Sequence, residues 1–502
     1  MKTYLGITAQ SHDASAAVIN DKGEILFAGH SERYSRIKND PWLDRSLIDD
    51  CLLHNDNKPF DAVFYYEKPL IKKARQLRAG QYDWALTLED MPKNYIKKFT
   101  EVKKFKAYYH HYTHATAGYY TSGFNDATVI VIDSIGEFET YTVWRAEHGL
   151  LKQVYSQKYP HSIGLWYSAM TQRLGLKPQE DEYILMGMAA YGKPIYKNKI
   201  WDDYINDDLT FKQNLHIGVS EDYLPDADIM DIAASVQEIA TKFIFEYVSR
   251  AIWLTGESNL VYMGGVALNC VSNTKLYELC DNIWIMPNPG DAGNSLGAAL
   301  IGAEIYDRNL PWPIRKEEMI KWEGPFLGTN IEGKYPVNKI VKELKENKIC
   351  GVANGRAEFG PRALGNRSLL ADPRGPEVKD LVNQIKRRQK FRPFAPAILE
   401  EDVHEYFTLP TAVKNTPYMQ FTAPCVRGKD FPAIIHYDNT SRVQTVRKTD
   451  NPGFHALLTE WKKQTGCPIL LNTSLNIKGQ PIVNNREDGK AFTNKYGVKV
   501  IG

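Results

Sequence analysis

Two apolar runs constrain this chain most: ATVIVID, which stops at Asp133, and NLVYMGG, which stops at Gly264-Gly265. Unbroken apolar runs of this length read as buried strands, and both are followed by helical pattern. Strands that end in Asp or paired Gly ahead of a helix predict an α/β sheet whose strand ends hold a ligand. The opening stretches YLGIT, ASAAVI and EILFAGHSE, joined in part by the Asp21-Lys22-Gly23 turn, read as further paired strands. Helices are expected over 164–175, near 230–254 and from residue 293 onward. A chain of 502 residues exceeds one core. The pattern lapses into Gly, Pro and Asn in WEGPFLGTNIEGKYP, which places a domain boundary near residue 330. No repeat is visible in the sequence itself.

Composition narrows the function classes. With 43% hydrophobic and 24% charged residues this is ordinary globular material, and a net charge of +2 does not by itself call for a nucleic-acid or membrane partner. No apolar run approaches the roughly 18 residues that cross a bilayer, and MKTYLGITAQ enters a strand pattern without a signal sequence, so a cytoplasmic protein is expected. The six cysteines are scattered without a CxxC pair, which argues against a disulfide framework or a thiolate zinc site.

Chemistry concentrates in three places. In GRAEFGPRALGNRSLLADPR, arginines alternate with Gly355, Gly360 and Gly365, and Lys386, Arg387, Arg388, Lys390 and Arg392 follow before the stiff turn FRPFAP. Glycine lets backbone N–H groups approach a ligand, and a guanidinium fork pairs phosphate or carboxylate oxygens, so this is an expected anion site. His110 and His114, four apart, share one face of a helix and suit one metal ion, with Asp133 and Asp291 as carboxylate donors. Two imidazoles and two carboxylates form a borderline donor set open to iron, manganese or zinc. The turns YMGGVALN and GDAGNSLGAA offer N–H groups and helix N-termini to phosphates, but neither matches a P-loop or a GxGxxG fingerprint. His12, in SHDASAA, has the right chemistry for a general base on an alcohol, or simply for capping a turn.

With these pieces together, the chain resembles the O-carbamoyltransferases of nodulation-factor and antibiotic biosynthesis. The matching stretches run in order along nearly the whole chain: HDASAAV, HHYTHA, IDSIGE, EYILMGMAAYG, MGGVALNC, NPGDAGNSLGAA, GRAEFGPRALGNRSLLADPR, IKRRQKFRPFAPAIL, SRVQTV and LNTSLNIKGQPIV. The resemblance implies an α/β protein with an actin-like (ASKHA) domain over 1–330, similar to tRNA threonylcarbamoyl transferases, and a smaller YrdC-like domain over 331–502. It implies an enzyme that converts carbamoyl phosphate and ATP, the latter with Mg2+, to carbamoyl adenylate and carbamoylates a hydroxyl. Carried over residue by residue, the metal ligands are His110, His114, Asp133 and Asp291, with iron(II) first and manganese or zinc as alternatives. Nucleotide contacts fall on Gly136, Gly264, Gly265, Val266 and Asn269. The carbamoyl phosphate site falls on Arg362, Lys386, Arg388 and Arg392, with Thr473, Ser474 and Asn476 lining the adenylate pocket and His12 as base.

The chain departs from the family pattern at Ser134, where the phosphate turn usually carries glycine, and at Gln389, where glutamate is common. The acceptor stays open between a sugar or natural-product alcohol and the hydroxymethyl group of a modified pyrimidine in DNA. Lysines and arginines interleaved with Tyr95, Phe99, Phe105 and Tyr108 over 68–109 suit a polynucleotide groove or a solvated helix face. Competing readings are a tRNA-modifying threonylcarbamoyl transferase and a non-enzymatic actin-class nucleotide-binding protein. A homodimer is left open, and no membrane partner is expected.

Overall fold

The computed structural model describes residues 1–87, 91–307, 320, 322–411 and 413–502. The chain forms two compact units: Met1–Ala28 with Arg45–Trp322, and Gly29–Asp44 with Glu323–Gly502.

The first unit is built on two five-stranded sheets. The first has β1 (Thr3–Thr8), β2 (Ser15–Asn20), β3 (Ile25–His30), β4 (Ala62–Tyr65) and β5 (Phe105–Ala107), in the order β3-β2-β1-β4-β5. The second has β6 (Ala127–Ile132), β7 (Glu139–Glu147), β8 (Leu150–Lys158), β9 (Asn259–Met263) and β10 (Asn282–Trp284), in the order β8-β7-β6-β9-β10. Each sheet therefore repeats one plan. A first strand pairs antiparallel with the second and parallel with the fourth, and the fourth pairs parallel with the fifth. This duplicated mixed sheet is the architecture expected of an actin-like protein.

Every residue of β1, β2 and β6 is buried, because both faces of these strands are covered. Helices α1 (Pro69–Arg78), α2 (His110–Thr121), α3 (Ile163–Arg173), α4 (Ile229–Thr255) and α5 (Asn294–Asp307) surround the sheets. Small residues set how closely they lie. A Cβ on Gly6 of β1 would stand 1.9 Å from the Ser295 carbonyl oxygen, so α5 lies directly on the first sheet. A Cβ on Gly118 would meet Met263 and Val261 within 2.7 Å, so α2 lies directly on β9. A Cβ on Gly297 would stand 1.9 Å from Thr113 O, which presses α5 against α2. The centre of the unit is thus a close helix pair between two sheets, and the functional side chains gather at one end of that pair.

The second unit has a six-stranded sheet. Its strands, with two small flanking ladders, are β11 (Phe326–Ile331), β12 (Ile349–Ala353), β13 (Gly355–Glu358), β14 (Arg367–Ala371), β15 (Ala395–Leu399), β16 (Thr422–Pro424), β17 (Thr440–Arg442), β18 (Gln444–Val446), β19 (Ile469–Ser474) and β20 (Val500–Ile501). The main order is β18-β15-β19-β14-β12-β20. Helices α6 (Val337–Asn347) and α8 (Pro452–Thr465) bring Ile340, Leu344, Phe454 and Trp461 into one core with Val352, Leu370 and Leu470; α7 (Pro376–Ile385) and α9 (Arg486–Tyr496) complete the layer set. The Gly29–Asp44 segment is fastened here by Arg36, which donates to Ile482 O at 2.8 Å and Pro481 O at 3.1 Å, and by a 2.7 Å hydroxyl contact between Tyr34 and Thr329. All six cysteines are buried and free. Among the described residues no helix is long and apolar enough to cross a membrane.

Candidate metal centre and anion site

The first turns of α2, the end of β6 and the turn before α5 bring His110, His114, Asp133 and Asp291 together, with their ligand atoms all within 4.8 Å of one another. All four are buried, His114 completely and Asp291 to 8% exposure. His110 Nε2 lies 3.0 Å from Asp133 Oδ2 and 3.4 Å from Asp291 Oδ1; His114 Nε2 lies 3.3 and 3.4 Å from the same two oxygens. The two Nε2 atoms are 3.1 Å apart.

Neighbouring backbone and side chains hold each donor in place. Asp133 Oδ1 accepts the N–H of Ser134 at 2.8 Å and of Gly265 at 3.4 Å, which turns Oδ2 toward the imidazoles. The Glu137 carboxylate accepts the His110 N–H at 3.2 Å and the Lys68 N–H at 2.6 Å, serving as the acidic cap that Tyr109 does not provide for α2. Gly136 must stay small, since a Cβ there would stand 3.1 Å from both His110 and His111. The Asp291 turn is tied to the first sheet by Thr8 Oγ1, 3.3 Å from Asp291 O, and by Ser15 Oγ, 2.6 Å from Ala292 O.

Electrostatics show what this arrangement needs. Two buried carboxylates side by side repel, and burial alone raises both pKa values; instead the imidazoles hold Asp133 and Asp291 well below the carboxylate range. Burial opposes a charge on His110, yet Asp291 and Asp133 hold its pKa well above the ordinary value. Two Nε2 atoms facing each other and two carboxylate oxygens leave room for one shared cation. Edges of 3.0–3.4 Å match adjacent corners of a coordination shell with bonds of about 2.1 Å, so the donor set fits a divalent metal ion. His12 stands at the rim, 48% exposed, with Nε2 3.4 Å from Asp291 Oδ2 and Nδ1 3.1 Å from Asp13 Oδ2. Burial opposes its charge, but Asp291 and Asp13 outweigh it and push its pKa up to about 9. A cation shared by Asp291 weakens that pull.

The residues expected at the nucleotide border this cluster. Gly264 has φ +95°, and a Cβ there would meet Ile132 O at 2.1 Å; a Cβ on Gly265 would stand 3.2 Å from Asp133 Oδ1. Val266 follows in a short turn. Asn269 is instead engaged within the protein, capping the next helix at Ser272 N and exchanging hydrogen bonds with Gln237 at 3.1 and 3.2 Å.

In the second unit the arginines divide by role. Arg367 is fully buried and donates to the carbonyls of Asn484, Asn354, Gly355, Asn366 and Thr329 at 2.8 to 3.1 Å, the work of a structural tie. Arg374 is bidentate to Asp372 at 2.8 and 2.9 Å. Arg362 and Arg392 are half-buried. Lys386 is buried, and its Nζ donates to Ser474 O, Asn476 O and Asn476 Oδ1 at 2.6 to 2.9 Å, which joins three of the expected anion-site residues in one knot. Burial, then Arg388 and Arg392, hold the Lys386 pKa well below its ordinary value. Arg388 lies 4.0 Å above the Phe394 ring and donates to Asn383 Oδ1 at 2.6 Å and Pro393 O at 3.2 Å. Thr473, half-buried, precedes this knot on β19.

Sequence reasoning passed over Glu137, although it closes the quoted motif IDSIGE, and Arg75, whose Nη1 donates to Gly136 O at 3.1 Å. The acid four residues after Asp133, directly following Gly136, was the available signal for the first; α1 offered none for the second.

The Carbamoyltransferase N-terminus family model matches residues 3–300, and the Carbamoyltransferase C-terminus model matches residues 341–501. The chain is similar to Nodulation protein NolNO of Sinorhizobium fredii, 31% identical, with 95% of this chain and 76% of that protein covered. It is similar to Nodulation protein NolO of Bradyrhizobium diazoefficiens, 34% identical over 76% of this chain and 74% of that protein. Among solved structures, full-length HypF in the phosphate- and nucleotide-bound form aligns with a TM-score of 0.36 at 12% identity, covering 61% of this chain and 56% of that one.

Proposed function

The chain belongs to the carbamoyltransferase family and is a carbamoyltransferase, and on that premise we propose that it carbamoylates a hydroxyl group at the expense of ATP. The balanced reaction is acceptor alcohol, carbamoyl phosphate, ATP and water to the carbamate ester, AMP, pyrophosphate and inorganic phosphate, with carbamoyl adenylate between. In this reading the second unit forms the adenylate. Arg362 and Arg392 neutralise the carbamoyl phosphate dianion, and the knot of Lys386 with Ser474 and Asn476, flanked by Thr473 and Arg388, shapes the pocket wall.

The first unit uses the adenylate. Gly136, Gly264, Gly265, Val266 and Asn269 lie along the nucleotide, and His12 takes the acceptor proton as its oxygen forms the bond to the carbamoyl carbon and AMP leaves. His110, His114, Asp133 and Asp291 would hold iron(II), manganese or zinc; a divalent ion bound there supplies Lewis-acid charge to a phosphate or carbonyl oxygen. The observation that carries the reading is this buried four-donor cluster with a half-exposed histidine at its rim. The acceptor is a small-molecule alcohol or a hydroxymethyl pyrimidine in DNA. The nucleic-acid branch draws support from Tyr109, 49% exposed immediately before His110, with Lys68 5.5 Å from its ring centre.

The test is AMP release by the purified chain from ATP and carbamoyl phosphate. Arg362→Met or Arg392→Met abolishes it in this reading, and AMP release that persists in both variants overturns it. Mass spectrometry of sugars and hydroxymethylated DNA incubated with the same mixture identifies the acceptor by the gain of one carbamoyl group.

A further inference from the structure

The cations expected around carbamoyl phosphate lie on the loop that follows α7, and one buried side chain of α7 gathers that loop. Asn383 is 1% exposed. Its Oδ1 accepts the Arg388 Nε–H at 2.6 Å, and its Nδ2 donates to Lys390 O and Arg392 O, each at 3.3 Å. Its own carbonyl accepts the Arg388 N–H at 3.1 Å. A carboxamide carries two N–H donors and one acceptor oxygen, and here all of them are spent on a single loop.

The path of that loop explains why it needs such a hub. Residues 386–394 belong to no helix or strand. Arg387 has φ +52°, in the left-handed region, and its N–H reaches back to Gln384 O at 3.1 Å, so the chain doubles over the end of α7. A residue other than glycine persists in that conformation where its surroundings over-determine it. The Arg387 guanidinium lies 5.9 Å from the Tyr496 ring centre, whereas Arg388, one residue on, lies over Phe394.

Asn383 is also uncharged. Lys386 Nζ likewise meets only uncharged oxygens among the described residues, those of Ser474 and Asn476. Cations anchored by neutral acceptors keep their charge for an incoming anion; a carboxylate in the place of Asn383 would hold Arg388 and cancel that charge.

We propose that Asn383 is a positioning residue of the carbamoyl phosphate site: it fixes Arg388 through its side chain and Arg392 through its carbonyl, so that both cations are in place before the dianion arrives. The proposal rests on the reading that the second unit binds carbamoyl phosphate, and it names a residue that acts on the dianion only through others.

The experiment is calorimetric titration of the full chain with carbamoyl phosphate, alongside thermal unfolding. Asn383→Leu keeps the size of the side chain and removes its three hydrogen bonds, so affinity should fall by about tenfold or more, the loss expected when charged donors are no longer held in place. Ile340→Val is the control: it thins the core of the same unit without touching the loop, and it should bind as the wild type does. Should Asn383→Leu not fold, Asn383→Asp keeps the acceptor for Arg388, loses both donors and sets a negative charge against the dianion, and its affinity should fall at least as far. A folded Asn383 variant with undiminished affinity, or a matching loss in Ile340→Val, overturns the proposal and leaves the carbamoyl phosphate site standing. No binding by the wild type overturns that reading and the proposal together.

Discussion

Replacing Gly297 by alanine tests whether the crossing of α2 and α5 sets the metal cluster. The new Cβ would stand 1.9 Å from Thr113 O and 2.8 Å from Thr113 C, both backbone atoms, so no side-chain rotamer relieves the contact. Reaching even 3.0 Å requires the helices to part by about 1.1 Å. Thr113 lies between His110 and His114, and Asp291 lies six residues before Gly297, so the displacement falls on the 3.4 Å separations from Asp291 to both imidazoles. Metal-ligand distances tolerate only about 0.2 Å of error. Overpacking of this kind costs about 1–3 kcal/mol of stability, and Mn2+ affinity should fall by about tenfold to a hundredfold, the effect of disturbing ligand support. The assay is calorimetric titration with Mn2+ alongside thermal unfolding. Gly290→Ala is the control, because its Cβ would meet nothing within 4 Å although it adjoins Asp291; it should bind Mn2+ as the wild type does. A folded Gly297→Ala protein with undiminished affinity would refute the idea that this crossing places the ligands.

Three further outcomes follow from the same contacts. Asp133→Asn removes one anionic donor from the cluster, and metal content after gel filtration, read by mass spectrometry, should reflect an affinity about a hundredfold lower or worse. Glu137→Ala strips the acceptor from the His110 and Lys68 N–H groups and should cost about 1–2 kcal/mol in urea unfolding. Arg367→Met leaves five backbone carbonyls without their donor and should cost about 3–5 kcal/mol, whereas Arg362→Met, at a half-exposed position, should change stability by less than about 1 kcal/mol while losing AMP release.

Those contrasts mark what a linear reading of this chain can see. Apolar runs place β1, β6 and β9, and helical periodicity places α3, α4 and α5 within a residue or two, because burial on both faces or on one stripe leaves a direct trace in residue order. An arginine leaves no such trace of its role. Arg362 and Arg367 sit five apart in one motif, yet Arg367 spends its whole guanidinium on backbone carbonyls, and only the path of β13, β14 and the loop at Asn484 reveals it. The docking of Gly29–Asp44 onto the second unit is equally silent, since the contacts of Arg36 reach more than 440 positions away. Least visible is the duplication. SAAVIN and ETYTVWRAE share no pattern beyond apolar content, but β2 and β7 hold the same place in their sheets. His12 and Asp13 lie in the loop joining β1 to β2, and Asp133 and Glu137 lie in the loop joining β6 to β7. Equivalent hairpins of the two sheets therefore supply the rim histidine and the buried carboxylate. The close pair α2 and α5 supplies the rest, with His110 and His114 from one helix and Asp291 from the turn before the other. A site assembled this way depends on how tightly two sheets close on two helices, which is why Gly297, a position that supplies no donor to the cluster, is sensitive alongside the four that do.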